Sequence, residues 1–198
     1  MPKSAQQCEE IRMQMRDKIL HQSMLYFARN GFTGTKISDL AKYIGIGQGT
    51  IYLYFESKEE LFQEIRKMAA SEKDIKELKL LAQLPIPAKI KIHQLSESVL
   101  KQLEKSESFA GMMALNTQML LEQDNGSSSD ETTYQSLLYT YMVKILEQGQ
   151  KEGTVVNGTP LKLADYYWGV VYLYALKKLF TTEYEMISTA DLERTVLK

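Results

Sequence analysis

Apolar positions recur every three or four residues from Ile11 through Met15, Ile19, Tyr26 and Phe27. That is the spacing of one helix face, and it predicts a first helix over residues 9–30 with Gly31 as its C-cap. A shorter stripe, Ile37, Leu40 and Ala41, predicts a second helix that Thr33 or Thr35 could cap and that Tyr43 and Gly45 end. Residues 46–52 make a third short segment, flanked and interrupted by Gly45, Gly47 and Gly49. Each glycine costs a helix roughly 1 kcal/mol, so this segment is helical only if tertiary contacts hold it. Ser57 with Glu60 three residues on reads as a capping box, and Phe55 with Leu61 as its hydrophobic staple. A long helix from Lys58 to about Leu81 is expected to follow.

Pro85 and Pro87 interrupt that helix, and Ile90, Ile92, Leu95, Val99, Leu100 and Leu103 predict the next over residues 88–104. A methionine-rich segment predicts another over 109–123, and the polar run 124–131 is the clearest loop signal in the chain. Helical spacing resumes over 134–150, and residues 155–158 connect to a helix over 160–180 that carries Pro160 in its first turn. A last helix, broken or bent near Ser188 and Thr189, is expected over 183–197. No hairpin signal and no internal repeat interrupts the helical pattern. The chain therefore reads as all-α, with a small three-helix domain at residues 9–56, packed on the start of the helix beginning near 57, and a larger helical domain at 57–198.

Composition narrows the function classes. The 198 residues carry a formal net charge of -1, and 44% are hydrophobic, values of an ordinary globular protein with no overall basic surplus for a polyanion. The first 70 residues nevertheless hold ten Lys/Arg against eight Asp/Glu. Cys8 is the single cysteine, and His21 and His93 are the only histidines, so no disulfide, metal site or Cys–His catalytic pair is legible. Carboxylates such as Glu122, Glu147 and Asp165 show no catalytic spacing. No leader and no apolar run of membrane-spanning length appears, which leads to the expectation of a cytoplasmic protein that is not an enzyme and needs no cofactor.

Two short helices joined by a glycine turn have the dimensions of a helix-turn-helix, whose second helix enters the DNA major groove. In that arrangement Gln48 and Thr50 offer hydrogen bonds to bases or phosphates, and the hydroxyls of Tyr52 and Tyr54 reach the backbone. Ile51 and Phe55 turn to the core. Lys58 stands at a helix start, where the dipole prefers anions, a conflict that a bound phosphate would remove.

From Ile19 to Ile65 the sequence strongly resembles the DNA-binding domain of the TetR family of transcriptional regulators. The resemblance rests on Ile19, Phe27, Gly31, Phe32, Thr35, Ile37, Ala41, Gly45, Ile46, Gly49, Thr50, Tyr52, Tyr54, Phe55, Ser57, Lys58 and Glu59. It implies that Thr35 and Lys58 contact phosphates, that Gln48, Gly49 and Thr50 lie at the DNA surface, and that Tyr52 and Tyr54 face or flank phosphates. Gly47 departs from the family, which usually has a small polar residue there, and removes a hydroxyl that could cap the reading helix.

The resemblance further implies a homodimer built from the last two long helices, here about 160–180 and 183–197, that binds a palindromic operator and responds to a ligand, most often as a repressor. Twelve tyrosines and ten methionines suit a cavity for an apolar or aromatic effector. Candidate lining residues are Met112, Met113, Leu115, Met119, Tyr134, Leu138, Tyr141, Met142, Trp168 and Tyr172, each equally at home in an ordinary core. His93 could serve a ligand or simply pack. The competing readings are a helical interaction protein, or a ligand-sequestering one, with weak or lost DNA binding.

Overall fold

The computed structural model describes residues 5–69, 72–123 and 137–198. It divides the chain into two compact units, Met1–Ala69 and Ala70–Lys198. The first holds α1 (Ala5–Asn30), α2 (Ile37–Ile44), α3 (Gln48–Tyr52) and α4 (Lys58–Ala69). The second holds α5 (Glu72–Gln83), α6 (Ala88–Lys105), α7 (Glu107–Gln123), α8 (Leu137–Lys151), α9 (Pro160–Phe180) and α10 (Thr189–Glu193). The first of these units includes α4. Of the long helix expected from Lys58 to Leu81, α4 and α5 are the described parts, and residues 70 and 71 between them lie outside the described residues. The predicted loop 124–131 and Tyr134 lie outside the described residues.

In the first unit, burial on α1 starts at Ile19 and continues through Leu20, Ser23, Met24, Phe27 and Ala28, while Ile11 stays exposed. Phe27 is fully buried and meets the rings of Phe32 and Phe62 at 5.7 and 5.5 Å between centroids. Gly31 ends α1 at a φ of 75°, its amide bonded to the Phe27 carbonyl at 2.8 Å. Neither Thr33 nor Thr35 caps α2. Its N-cap is Lys36, without a side-chain hydrogen bond, because the Thr35 hydroxyl turns back to α1. At the other end Gly45, with φ 76°, closes a Schellman motif in which Ile46 N donates to Ala41 O and Gly45 N to Lys42 O. The five-residue α3 is pinned by Ile51 and Phe55, each 1% exposed, which answers the glycine cost with tertiary contact. Ser57 caps α4 through Glu60 N at 3.0 Å, but the Glu60 carboxylate accepts from Glu56 N, one residue before the expected capping-box donor.

The second unit is a helical bundle in which α9 packs on α6, α7, α8 and α10. Its end carries the largest departure from expectation. Residues 183–197 do not form a long helix; Ser188 caps the short α10, and the chain then extends to pair Leu197 with Val155 in an antiparallel bridge. Val156 N donates to Val196 O at 2.9 Å and Lys198 N to Thr154 O at 3.1 Å. This pairing buries Val155 and Val196 completely, an arrangement a continued helix could not make. The last two long helices are therefore α8 and α9.

One contact makes the bridge sensitive to a single carbon. A Cβ added at Gly149 on α8 meets Val155 Cγ2 at 2.3 Å and Ala88 Cβ at 3.1 Å. Valine is short and β-branched, and both neighbours are fully buried, so neither side can withdraw cheaply. Gly149→Ala is expected to destabilise the protein by about 2 kcal/mol, the overpacking outweighing the better helix propensity of alanine. Urea unfolding checks it, and an unchanged midpoint would refute the close packing of α8 on the bridge.

Lys91 is 2% exposed, yet its ammonium donates to Ala82 O and Gln148 Oε1, both at 2.8 Å. Gln148 passes hydrogen bonds to Ile86 O and Glu152, and the other Glu152 oxygen accepts from Ala88 N at 2.8 Å, satisfying the start of α6. Burial pushes the Lys91 pKa below its usual value, opposed by the Glu152 charge. This connected set ties α6 and α8 to the turn containing Pro85 and Pro87.

Candidate nucleic-acid interface

The expected reading residues on and beside α3 differ in exposure. Gln48 and Gly49 are exposed, Tyr52 is 48% exposed, and Thr50 and Tyr54 are half-buried, while Ile51 faces the core. Leu53, at the C-cap of α3, is 76% exposed. Sequence reasoning missed this residue because a leucine beside Ile51 reads as core, and only the helix phase reveals that it points outward. Gly47 has φ -71° and ψ 144°, ordinary extended backbone, and a Cβ there would meet Thr50 Oγ1 at 3.7 Å. The turn therefore needs a glycine at position 45 but not at 47 or 49.

Thr35 and Lys58, which the resemblance implies contact phosphates, both hydrogen-bond to the protein's own backbone. Thr35 is 5% exposed and its hydroxyl donates to Gly31 O at 2.6 Å. The Lys58 ammonium donates to Phe32 O and Thr35 O, each at 3.1 Å, and stands 4.4 Å from the centre of the Phe32 ring. Reaching from α4 to two carbonyls of the α1–α2 turn, it fixes that turn and resolves the apparent conflict of a lysine at a helix start.

Behind Tyr54, an open groove of about 300 Å³ is lined by Glu9, Arg12, Met13, Arg16 and Tyr54. Arg16 pairs with Glu64 at 2.6 Å and lies 5.2 Å from the Phe55 ring centre, joining α1 to α4 behind the reading helix. Hydrogen bonds from Lys67 and Arg16 hold the Glu64 pKa below its ordinary 4.5. Arg12 and Arg16 lie four residues apart on one helix face, a signal present in the sequence but hidden among exposed polar neighbours. Tyr43 packs on Tyr26 at 5.1 Å between ring centroids.

The candidate effector residues distribute through the second unit. Leu115, Met142 and Trp168 are buried, and Met112, Met113, Leu138, Tyr141 and Tyr172 are half-buried. Met119 belongs to α7 with its side chain outside the described residues, as all of Tyr134 is. The Trp168 indole N–H is buried without a hydrogen-bond partner among the described residues, an arrangement that costs roughly 1–3 kcal/mol unless an acceptor arrives. Its neighbour Tyr167 shares a buried hydrogen bond with Ser96 at 3.0 Å, and burial raises the Tyr167 pKa well above the usual phenol value. His93 is not in this group; it faces Glu193 of α10 at 2.7 Å.

Along α9 a second apolar line remains uncovered. Tyr166, Leu173 and Phe180 are 58%, 48% and 57% exposed and fall seven residues apart, with Gly169 exposed between the first two and open space beyond its Cβ position.

Residues 19–65 match the model of bacterial regulatory proteins, tetR family. The chain is 30% identical over 105 residues to the HTH-type transcriptional regulator AcrR of Shigella flexneri, covering 50% of this chain and 48% of that one. It is 32% identical over 50 residues to IcaR of Staphylococcus aureus, the negative transcriptional regulator of the biofilm operon icaADBC, covering 25% and 27% of the two chains. The chain thus spans about half the length, or less, of these curated relatives. Among solved structures, the ketosteroid transcriptional regulator KstR2 of Mycobacterium tuberculosis superposes with a TM-score of 0.62 at 15% identity, over 93% of this chain and 95% of that one. That likeness concerns the fold.

Proposed function

We propose, since this chain belongs to the TetR family of transcriptional regulators, that it represses transcription as a cytoplasmic homodimer on a palindromic operator and releases it when an effector binds. The observation that carries the reading is the outward face of α3: Gln48, Gly49 and Tyr52, with Thr50 half-buried beside them, stand clear of a core that locks Ile51 and Phe55 behind them. A short helix held this way can enter a major groove without rearranging. Gln48 and Thr50 serve the bases, Tyr52 and Tyr54 the backbone, and Thr35 and Lys58 act by holding the α1–α2 turn in place.

Dimerisation is supported by the uncovered line on α9. Apolar residues repeating every seven positions form a seam for another helix, and Gly169 lets that helix come close. The effector arm is supported by the Trp168 N–H, which has no acceptor among the described residues and suits an apolar molecule bearing one carbonyl or ether acceptor. Such a molecule relieves repression only if it binds the state that releases DNA more tightly than the state that holds it.

The test is selection of bound fragments from genomic DNA by the full chain, followed by mobility shift and a screen for compounds that release the best fragment. A preferred fragment with two-fold symmetry, released by a compound that also changes the emission of the sole tryptophan, is the expected result. Binding no tighter than to bulk DNA would overturn the regulator reading and favour an interaction or sequestering protein.

A further inference from the structure

The chemistry of α3 restricts which bases it can read. From Gln48 to Tyr54 the residues are Gln, Gly, Thr, Ile, Tyr, Leu and Tyr, with no charged side chain among them. In the major groove, arginine and lysine pair with the O6 and N7 acceptors of guanine, and acidic residues accept from cytosine N4. None of these groups is available here. What α3 does present is a glutamine amide, which pairs bidentately with N6 and N7 of adenine, and an exposed leucine, whose partner in the groove is the C5-methyl of thymine.

Leu53 is well suited to that role. At 76% it is the most exposed of the large apolar side chains among the described residues. It is also rigidly placed, with αR backbone and its amide bonded to Gly49 O at 3.1 Å. A leucine standing in water on an ordered turn is poised to gain from any apolar contact that dehydrates it. Gln48 and Leu53 are five residues apart, about 7.5 Å along a helix axis and about 140° around it, so Gln48 at the leading turn and Leu53 on the side away from the buried Ile51 reach separate base pairs of a duplex rising about 3.4 Å per pair.

We infer that each reading head selects neighbouring A·T pairs, Gln48 reading an adenine and Leu53 a thymine methyl group, so that the core of each operator half-site is A·T. The inference rests on the proposed regulator function and goes beyond it by specifying the DNA.

The test uses the full-length protein and the preferred fragment from the genomic selection. Replacing the half-site thymines by uracil keeps every base-pair hydrogen bond and removes only the C5-methyl groups. Loss of one buried methyl contact corresponds to about fourfold in affinity, so a dimer engaging two half-sites is expected to bind the uracil duplex about fifteenfold more weakly. Leu53→Ala, at an exposed position whose truncation spares the core, is expected to bind the thymine and uracil duplexes equally. Gln48→Ala is expected to lose its preference for A·T over G·C at one position of each half-site. Equal binding of both duplexes by the unsubstituted protein, a G·C core in the preferred fragment, or persistence of the methyl effect in Leu53→Ala overturns the inference while leaving the regulator reading standing. Absence of any preferred fragment overturns both.

Discussion

In the homodimer proposed above, Leu173→Glu is expected to leave a monomer and to weaken binding to a two-half-site operator by a hundredfold or more. Leu173 is the middle member of the line Tyr166, Leu173 and Phe180, while the opposite side of α9 is occupied by Leu163, Ala164, Tyr167, Trp168, Val171, Ala175 and Leu179, all buried in the protomer. A helix with one apolar face in its own core and another in solvent needs a second partner, and the seven-residue spacing selects a helix for that partner. A glutamate at the centre of such a seam would have to be buried uncompensated in the dimer, whereas in the monomer it is solvated at no cost. DNA affinity falls with it because the second head binds from an effective concentration set by the first, an advantage of 10² to 10⁴ that a monomer lacks. Sedimentation velocity and mobility shift on one preparation give both readouts. A Leu173→Glu protein that remains a dimer would remove α9 from the interface, and one that becomes a monomer yet keeps full affinity would show that a single head suffices.

The second large effect is expected at Lys58. Lys58→Met keeps the length of the side chain and removes the two hydrogen bonds to Phe32 O and Thr35 O together with the ammonium beside the Phe32 ring. Hydrogen bonds from a charged donor contribute about 1.5–3 kcal/mol each, and water replaces part of that at a half-buried site, so a loss of about 3 kcal/mol from the first unit is expected. Hydrogen exchange should locate it in the α1–α2 turn, which then opens far more often than the rest of the unit. The same protein separates two uses of the lysine. With the ammonium committed to the turn, the dependence of operator affinity on salt keeps its slope; an ammonium on a phosphate would lower that slope by about one. A decrease of one accompanied by unchanged exchange would return Lys58 to the phosphate role implied by the family resemblance.

Much of the first unit was legible because its signals are local. Gly31 and Gly45 end their helices where the apolar spacing stops, Ser57 caps α4, and the alternation of Ile51 and Phe55 with Tyr52 and Tyr54 separates core from surface. Three features were not legible. The hydroxyl of Thr35 and the ammonium of Lys58 look like solvent-facing donors in the sequence, yet Thr35 bonds to Gly31 O four residues back at the end of α1, and folding brings Lys58 to Phe32 O and Thr35 O, 26 and 23 residues away in the chain. Leu53 looks like core. The end of the chain looks like a helix, because Leu192, Val196 and Leu197 keep helical spacing, yet Val196 is buried by a pairing with residues some forty positions earlier.

Taken alone, the amino-acid order determined the all-helical class, the position of the glycine turn between two short helices and the family those helices resemble, since caps, glycines and apolar periodicity act over a few neighbouring residues. Tertiary structure decided which donors face the protein's own backbone, which apolar line of α9 is left uncovered and where the last helix gives way to the Val155–Leu197 bridge. These depend on groups far apart in the chain meeting in space, and short-range spacing carries no record of that meeting.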